Sequence, residues 1–128
     1  MKLHMTLAAT LACLAALPAQ ADDKAMLKLA TDSGCMTCHS LEPGAKGPDG
    51  LAPIGPPWRD VAAKYKGDKK AEATLTQTVL KGSNPYDSHW KGKVSGLAMP
   101  PNAVAIKEPE AKKLVSWILA LKPAAAKP

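Results

Sequence analysis

The chain has 128 residues, of which 17 are basic and 11 acidic, and its formal net charge is +6 at pH 7. This length suits one small domain, and the dispersed lysines argue against a nucleic-acid partner, because a nucleic-acid site gathers its cations on one face. The positive charge fits either an acidic patch on a partner protein or a surface that its lysines merely solvate.

The first 21 residues have the pattern of a secretory signal peptide. Lys2 precedes an apolar run rich in Ala and Leu from Leu7 to Leu17, and Ala19-Gln20-Ala21 is an A-x-A cleavage site. The run is too short to span a bilayer comfortably, so we expect cleavage rather than a retained anchor. The mature chain would then be one exported domain, residues 22–128, with no stable insertion in a membrane.

A first helix is predicted over Asp23–Thr31, and the motif Cys-Met-Thr-Cys-His follows at residues 35–39. This motif is the attachment signature of a c-type haem, because two thiols on one helical turn can reach both vinyl groups of one porphyrin. His39 follows Cys35 by four residues on the same helical face, where its imidazole can bind the iron. Zinc would need two further soft ligands, and only His89 is left in the mature chain. A redox dithiol would need a βαβ context, and the sequence has no convincing strand pattern.

After the motif the sequence predicts a loop and two short helices. Residues 43–57 hold five prolines and four glycines, a composition typical of a loop. A short helix is predicted over residues 58–65, with Pro57 at or near its first position. A further helix is predicted over residues 70–81, with Gly82 as its C-terminal stop.

Residues 83–102 are again predicted to be irregular, and one more helix follows. This last helix opens at Pro109, where proline is tolerated, and ends at Pro123. Residues 123–128 are expected to form a flexible tail. The apolar face of the last helix has the spacing i, i+4 and i+7, at Leu114, Ile118 and Leu121.

Position selects one methionine as the candidate sixth ligand of the iron. Two methionines leave with the signal peptide, one lies inside the attachment turn and one precedes that turn on the first helix: Met1, Met5, Met36, Met26. Met99 lies downstream, in the proline-containing segment Leu97–Asn102, which can hold a thioether still. A methionine ligand gives an electron carrier with a raised potential. The alternatives are a core role for Met99 and ligation by His89.

The chain at this point resembles the small class I cytochromes c of bacterial periplasms, the single-haem carriers that feed reductases and oxidases. The similarity covers nearly all of the mature chain. It lies in GCMTCH at 34–39, GPPWRDVAAKY at 55–65, KGS at 81–83, MPPNAV at 99–104 and the last helix around Trp117. The resemblance implies an all-α fold, with helices wrapped around one covalently bound haem c. The connections 40–57 and 83–98 are extended here and shorter in compact relatives.

The resemblance also implies roles for individual residues. Covalent attachment and axial ligation fall to four of them: Cys35, Cys38, His39, Met99. The Pro56 carbonyl would accept a hydrogen bond from the other imidazole nitrogen of His39. The Trp90 indole would reach a haem propionate, with simple packing as the alternative, and Asn102 would bond near the Met99 sulfur. Relatives often carry a basic residue facing a propionate where this chain has Thr78.

The function that the resemblance implies is a soluble one-electron carrier of the periplasm, monomeric and not an enzyme. Its expected partners are redox proteins with acidic docking surfaces, met by Lys91 and Lys93 near the haem edge. A permanently bound subunit of a periplasmic oxidoreductase is an alternative that the long loops permit. A gas-binding haem protein is a further alternative, but the c′ class places the motif near the C-terminus. Here the motif begins 14 residues into the mature chain.

Overall fold

The computed structural model describes residues 18–46 and 50–124, and the side chains among them from Asp22 onward. Within these residues the chain forms four α-helices, one 3₁₀ helix and no β-strand, so the predicted all-α class is confirmed. All side chains of the predicted signal peptide, residues 1–21, lie outside the described part of the structure. The elements in chain order are α1 (Pro18–Asp32), the 3₁₀ helix (Cys35–Thr37), α2 (Trp58–Lys64), α3 (Ala71–Lys81) and α4 (Glu108–Ala120).

Helix ends follow local signals in the sequence. Gly82 ends α3 with a left-handed φ of 85°, and its N–H donates to the Thr78 carbonyl at 2.9 Å. Pro109 lies in the first turn of α4, where its missing N–H costs nothing. The Glu110 carboxylate accepts a hydrogen bond from the Lys107 N–H at 3.3 Å, which caps the same turn.

Two helix ends differ from the prediction by more than one residue. Helix α1 begins earlier than expected, at Pro18, because proline is favoured at a first helical position and alanines follow it. Helix α4 ends at Ala120 instead of continuing to Pro123. The residue before a proline disfavours helical backbone, and the carbonyl of that residue, Lys122, accepts a hydrogen bond from Arg59 at 2.7 Å.

The core lies where α4 packs against α1, α2 and α3. Its buried members are apolar: Ala30, Trp58, Val61, Ile106, Ala111, Leu114, Ile118. Burying one large aliphatic side chain of this kind contributes about 1.5–3 kcal/mol. This core is small, and other apolar side chains on the inner faces of the helices line a cavity instead. None of the helices in the described segments is long and apolar enough to cross a membrane.

Candidate functional site

One cavity of about 400 Å³ lies between the attachment turn, the inner faces of α2 to α4 and the segment that leads to Met99. Much of its wall is aliphatic: Ile54, Val61, Leu75, Val79, Leu114, Ile118. The fold also brings six of the seven predicted site residues to this wall: Cys35, Cys38, His39, Pro56, Trp90, Met99. Asn102 lies outside it. Residues from four separate stretches of the chain therefore meet in one place.

The attachment turn presents its two thiols through a tight bend. Gly34 has a left-handed φ of 75° and turns the chain out of α1 into the 3₁₀ helix. The N–H groups of Cys38 and His39 both donate to the Cys35 carbonyl, at 3.3 and 3.0 Å. Both cysteines are half-buried and unpaired. Before a haem is attached, burial raises the pKa of the Cys35 thiol above its ordinary value.

The imidazole of His39 is fixed in orientation and in tautomer. Its Nδ1 lies 2.8 Å from the Pro56 carbonyl oxygen. A carbonyl can only accept, so Nδ1 carries the proton and Nε2 keeps a free lone pair. Burial lowers the pKa of His39 and outweighs the Pro56 hydrogen bond, which raises it. The neutral form, which is the form that binds a metal, is thereby favoured.

Two residues that hold the His39 ring in place were not predicted from the sequence. The Trp58 indole stacks on the imidazole, with ring centroids 5.9 Å apart and 28° between the planes. Gly55 packs against the imidazole so closely that a Cβ there would lie 2.8 Å from the His39 Cε1 atom. The Gly55 N–H also donates to the Cys38 carbonyl at 2.7 Å. A glycine before two prolines and a tryptophan was the signal that could have indicated this packing.

His89 and Trp90 lie together at the cavity wall. The two rings meet edge to face with centroids 4.8 Å apart, and Lys93 Nζ lies 3.0 Å from the His89 Nε2 atom. Desolvation and the positive charges of Lys93 and Lys64 lower the pKa of His89. Trp90 is half-buried, and its contact with a propionate stays a prediction.

The side chains of Asn102 and Thr78 each donate a hydrogen bond to a nearby backbone carbonyl. The Asn102 amide nitrogen donates to the Pro100 carbonyl at 2.6 Å, and its predicted bond near the Met99 sulfur stays a prediction. Thr78 lines the cavity from α3, and its hydroxyl donates to the Thr74 carbonyl at 3.1 Å. Helix α3 therefore presents no cation to the cavity at this position, as the sequence indicated.

The two extended loops are joined to each other beside the cavity. The Ser95 N–H donates to the Pro53 carbonyl at 2.9 Å, and the Gly96 N–H donates to the Ile54 carbonyl at 3.0 Å. A Cβ on Gly96 would lie 2.5 Å from the Ile54 oxygen, so the close approach needs glycine. The loop that follows the attachment turn and the loop that leads to Met99 thus support one another.

The donor set of the cavity suits a haem c. Two thiols lie on one turn, an imidazole has its Nε2 lone pair free, a thioether lines the same cavity, and the surrounding wall is largely aliphatic. The thiols would provide covalent attachment, and a histidine nitrogen with a methionine sulfur is the ligand pair found in cytochromes c. The residues present therefore fit this group.

Comparisons with known proteins agree with the site. The sequence model of the family described as "Cytochrome c" matches residues 27–122. Cytochrome c-551 of Allochromatium vinosum is 40% identical over 95 residues, which is 74% of this chain and 84% of that protein. Cytochrome c-552 of Hydrogenobacter thermophilus is 38% identical over 95 residues, with coverages of 74% and 80%. The crystal structure of wild-type Nitrosomonas europaea cytochrome c552 aligns with a TM-score of 0.57 at 32% identity. It covers 75% of this chain and 99% of that one.

The family match spans most of the described residues and includes the attachment motif. The chain belongs to the cytochrome c family. It accordingly carries one haem c, attached at Cys35 and Cys38, and acts as an electron carrier. The small class I fold that the sequence predicted is confirmed by the family match and by the structural neighbours.

Proposed function

We propose that the chain is a diffusible one-electron carrier whose haem iron has His39 and Met99 as axial ligands. The observation that carries this proposal is the hydrogen bond between His39 Nδ1 and the Pro56 carbonyl, which leaves Nε2 as the nitrogen able to bind. Met99 lines the same cavity and supplies the thioether. When bound, the haem iron takes up and releases one electron. Two protein ligands leave no position for a substrate, so we propose that the chain is not itself an enzyme.

The contacts of His89 and of Met99 favour Met99 as the second iron ligand. His89 is exposed, and its Nε2 is already in contact with the Lys93 ammonium group. Binding iron through that nitrogen would mean giving up this contact. Met99 is half-buried, and its backbone N–H is bound to Ser83 at 2.8 Å. A half-buried, hydrogen-bonded backbone restricts where this flexible thioether can lie.

Substitutions of the candidate ligands test the proposal. Met99→Ala should remove the far-red iron–methionine charge-transfer band of the oxidised protein and open the iron to added imidazole. Met26→Leu is the matched control, because it exchanges another half-buried methionine for a residue of similar volume. His89→Ala should leave the band in place. Loss of the band in His89→Ala, with retention in Met99→Ala, would assign the ligand to His89 instead.

We further propose that the mature protein is residues 22–128, a single periplasmic domain that works as a monomer. The signal-peptide pattern supports export, and the family of its relatives supports a carrier rather than a catalyst. A mass measurement over a range of concentrations separates a free carrier from a permanently bound subunit. A constant monomer mass in the purified protein, and in mixtures with extract of its source, supports the carrier. Co-purification in a fixed stoichiometry supports the subunit.

The proposed partners are redox proteins with acidic docking surfaces. Lys91 and Lys93 are exposed on the loop that also contributes Trp90 and Leu97 to the cavity wall. Positive charge beside the cavity would speed the encounter with an acidic partner and add little to the final affinity. Brief docking of this kind needs only a small interface.

A further inference from the structure

Ser83 directly follows the glycine that ends α3, and it contacts Met99 through both its backbone and its side chain. The Ser83 N–H donates to the Met99 carbonyl at 2.9 Å. In return, the Met99 N–H donates to the Ser83 Oγ at 2.8 Å. The two residues are 16 positions apart in sequence, and the pair of hydrogen bonds closes them into one ring.

Gly82 makes this close approach possible. A Cβ on Gly82 would lie 2.9 Å from the Met99 carbonyl oxygen and 3.1 Å from the Pro101 Cδ atom. Its φ of 85° is also a conformation that side chains rarely adopt. The residue that stops α3 therefore serves a second purpose, because it lets the chain after Met99 lie against the helix end and presents Ser83 to it.

The segment 99–102 has all of its backbone donors bound to α3 or to Ser83 just beyond its end. Two of its four residues are prolines, which have no N–H, so only two donors remain. The Met99 N–H binds the Ser83 Oγ, and the Asn102 N–H binds the Val79 carbonyl at 3.0 Å. Both ends of the segment are thus anchored. A methionine side chain has three rotatable bonds, so a fixed backbone is what limits where its sulfur can go.

We propose that the Ser83 hydroxyl is a positioning group for Met99, which holds the methionine segment so that its thioether stays at the iron. This inference rests on the proposed His39 and Met99 ligation, and Ser83 itself does not ligate. Without the Oγ atom, the half-buried Met99 N–H loses its acceptor, and the segment loosens. An added ligand then displaces the thioether more easily. One net hydrogen bond corresponds to about a five-fold change in an equilibrium constant.

Titration of the oxidised protein with imidazole, followed by the far-red band, tests this role. Ser83→Ala should bind imidazole about five-fold more tightly than the wild type. Ser83→Thr keeps the hydroxyl and should bind as the wild type does. Ser95→Ala is the matched control, because its hydroxyl lies on the same irregular segment and donates to the Ala52 carbonyl at 3.1 Å, away from Met99. This substitution should leave imidazole binding unchanged.

Equal imidazole affinity in Ser83→Ala, Ser95→Ala and the wild type overturns the inference. If Ser83→Ala does not mature, amide hydrogen exchange in the wild type decides. The Met99 amide should be strongly protected relative to that of Leu97, a residue that is 86% exposed, and equal exchange overturns the inference. Met99→Ala distinguishes a failure of the proposed iron ligation from a failure of the positioning role of Ser83. If it keeps the far-red band, the proposed ligation itself fails. If it loses the band while Ser83→Ala behaves as the wild type, only the positioning role fails.

Discussion

Gly55→Ala should displace the imidazole ring of His39, and the distances in the structure show by how much. The new Cβ would lie 2.8 Å from His39 Cε1 and 2.9 Å from His39 Nδ1. Carbon atoms in contact prefer about 3.5 Å or more, so the ring would have to move by about 0.7 Å. It cannot do so freely, because Pro56 holds its Nδ1 atom and Trp58 stacks on its face. Overpacking of this kind costs about 1–3 kcal/mol.

The assay for this prediction combines denaturant unfolding with redox titration. Gly55→Ala should lower the free energy of unfolding by about 1–3 kcal/mol. It should also raise the reduction potential, because distorting the His39–Pro56 hydrogen bond makes the imidazole a weaker donor to the oxidised iron. Gly44→Ala is the control. Its φ is 85° and nothing lies within 4 Å of its added Cβ, so it should cost stability through backbone strain alone. A Gly55→Ala protein with wild-type stability and potential would refute the reasoning.

Three further predictions concern the surface, the pH response and the core. Electron transfer to a physiological partner should slow as salt rises, since exposed charges are screened beyond about 10 Å at 0.1 M. Replacing Lys91 and Lys93 with Gln should flatten that dependence in stopped-flow rates, and a rate indifferent to salt would favour apolar docking. By NMR titration, the pKa of His89 should lie below its ordinary value, and Lys93→Gln should raise it. The unfolded chain then binds more protons at His89 between the lowered and the ordinary pKa, so this residue's contribution to stability falls as the pH drops through that window. An unshifted His89 would contradict this. Leu114→Ala should cost about 2–5 kcal/mol in denaturant unfolding, because the side chain is buried in the core. A loss below about 1 kcal/mol would mean that the haem or its neighbours fill the space.

Local chemistry explains why much of the fold could be predicted from the sequence. The helix predicted over residues 70–81 corresponds to α3, because Gly82 is a strong stop and acts on its own neighbours. The helix predicted over residues 58–65 likewise corresponds to α2, which starts after Pro57. The attachment motif needs no tertiary information at all, because its chemistry is contained in five consecutive residues.

What the sequence could not predict depends on contacts between distant residues. The early end of α4 is tied to a hydrogen bond from Arg59, which lies 63 positions before its acceptor. The joining of the two long loops at Ser95 and Pro53 leaves no local pattern, because backbone hydrogen bonds can form with almost any residue type. Gly55 and Ser83 look like ordinary loop residues in sequence. Their roles follow only from what lies opposite them, which is His39 in one case and Met99 in the other.

The far-red absorption of the oxidised wild-type protein is the most direct test of the proposed carrier. An iron–methionine charge-transfer band is expected, because Met99 is the thioether that lines the cavity and His39 presents Nε2 to it. The band should persist up to high concentrations of protein and vanish when imidazole displaces the methionine. An oxidised protein that lacks the band and binds small ligands without competition would have an open sixth position on its iron. That result would contradict ligation by both His39 and Met99 and would favour the gas-binding alternative.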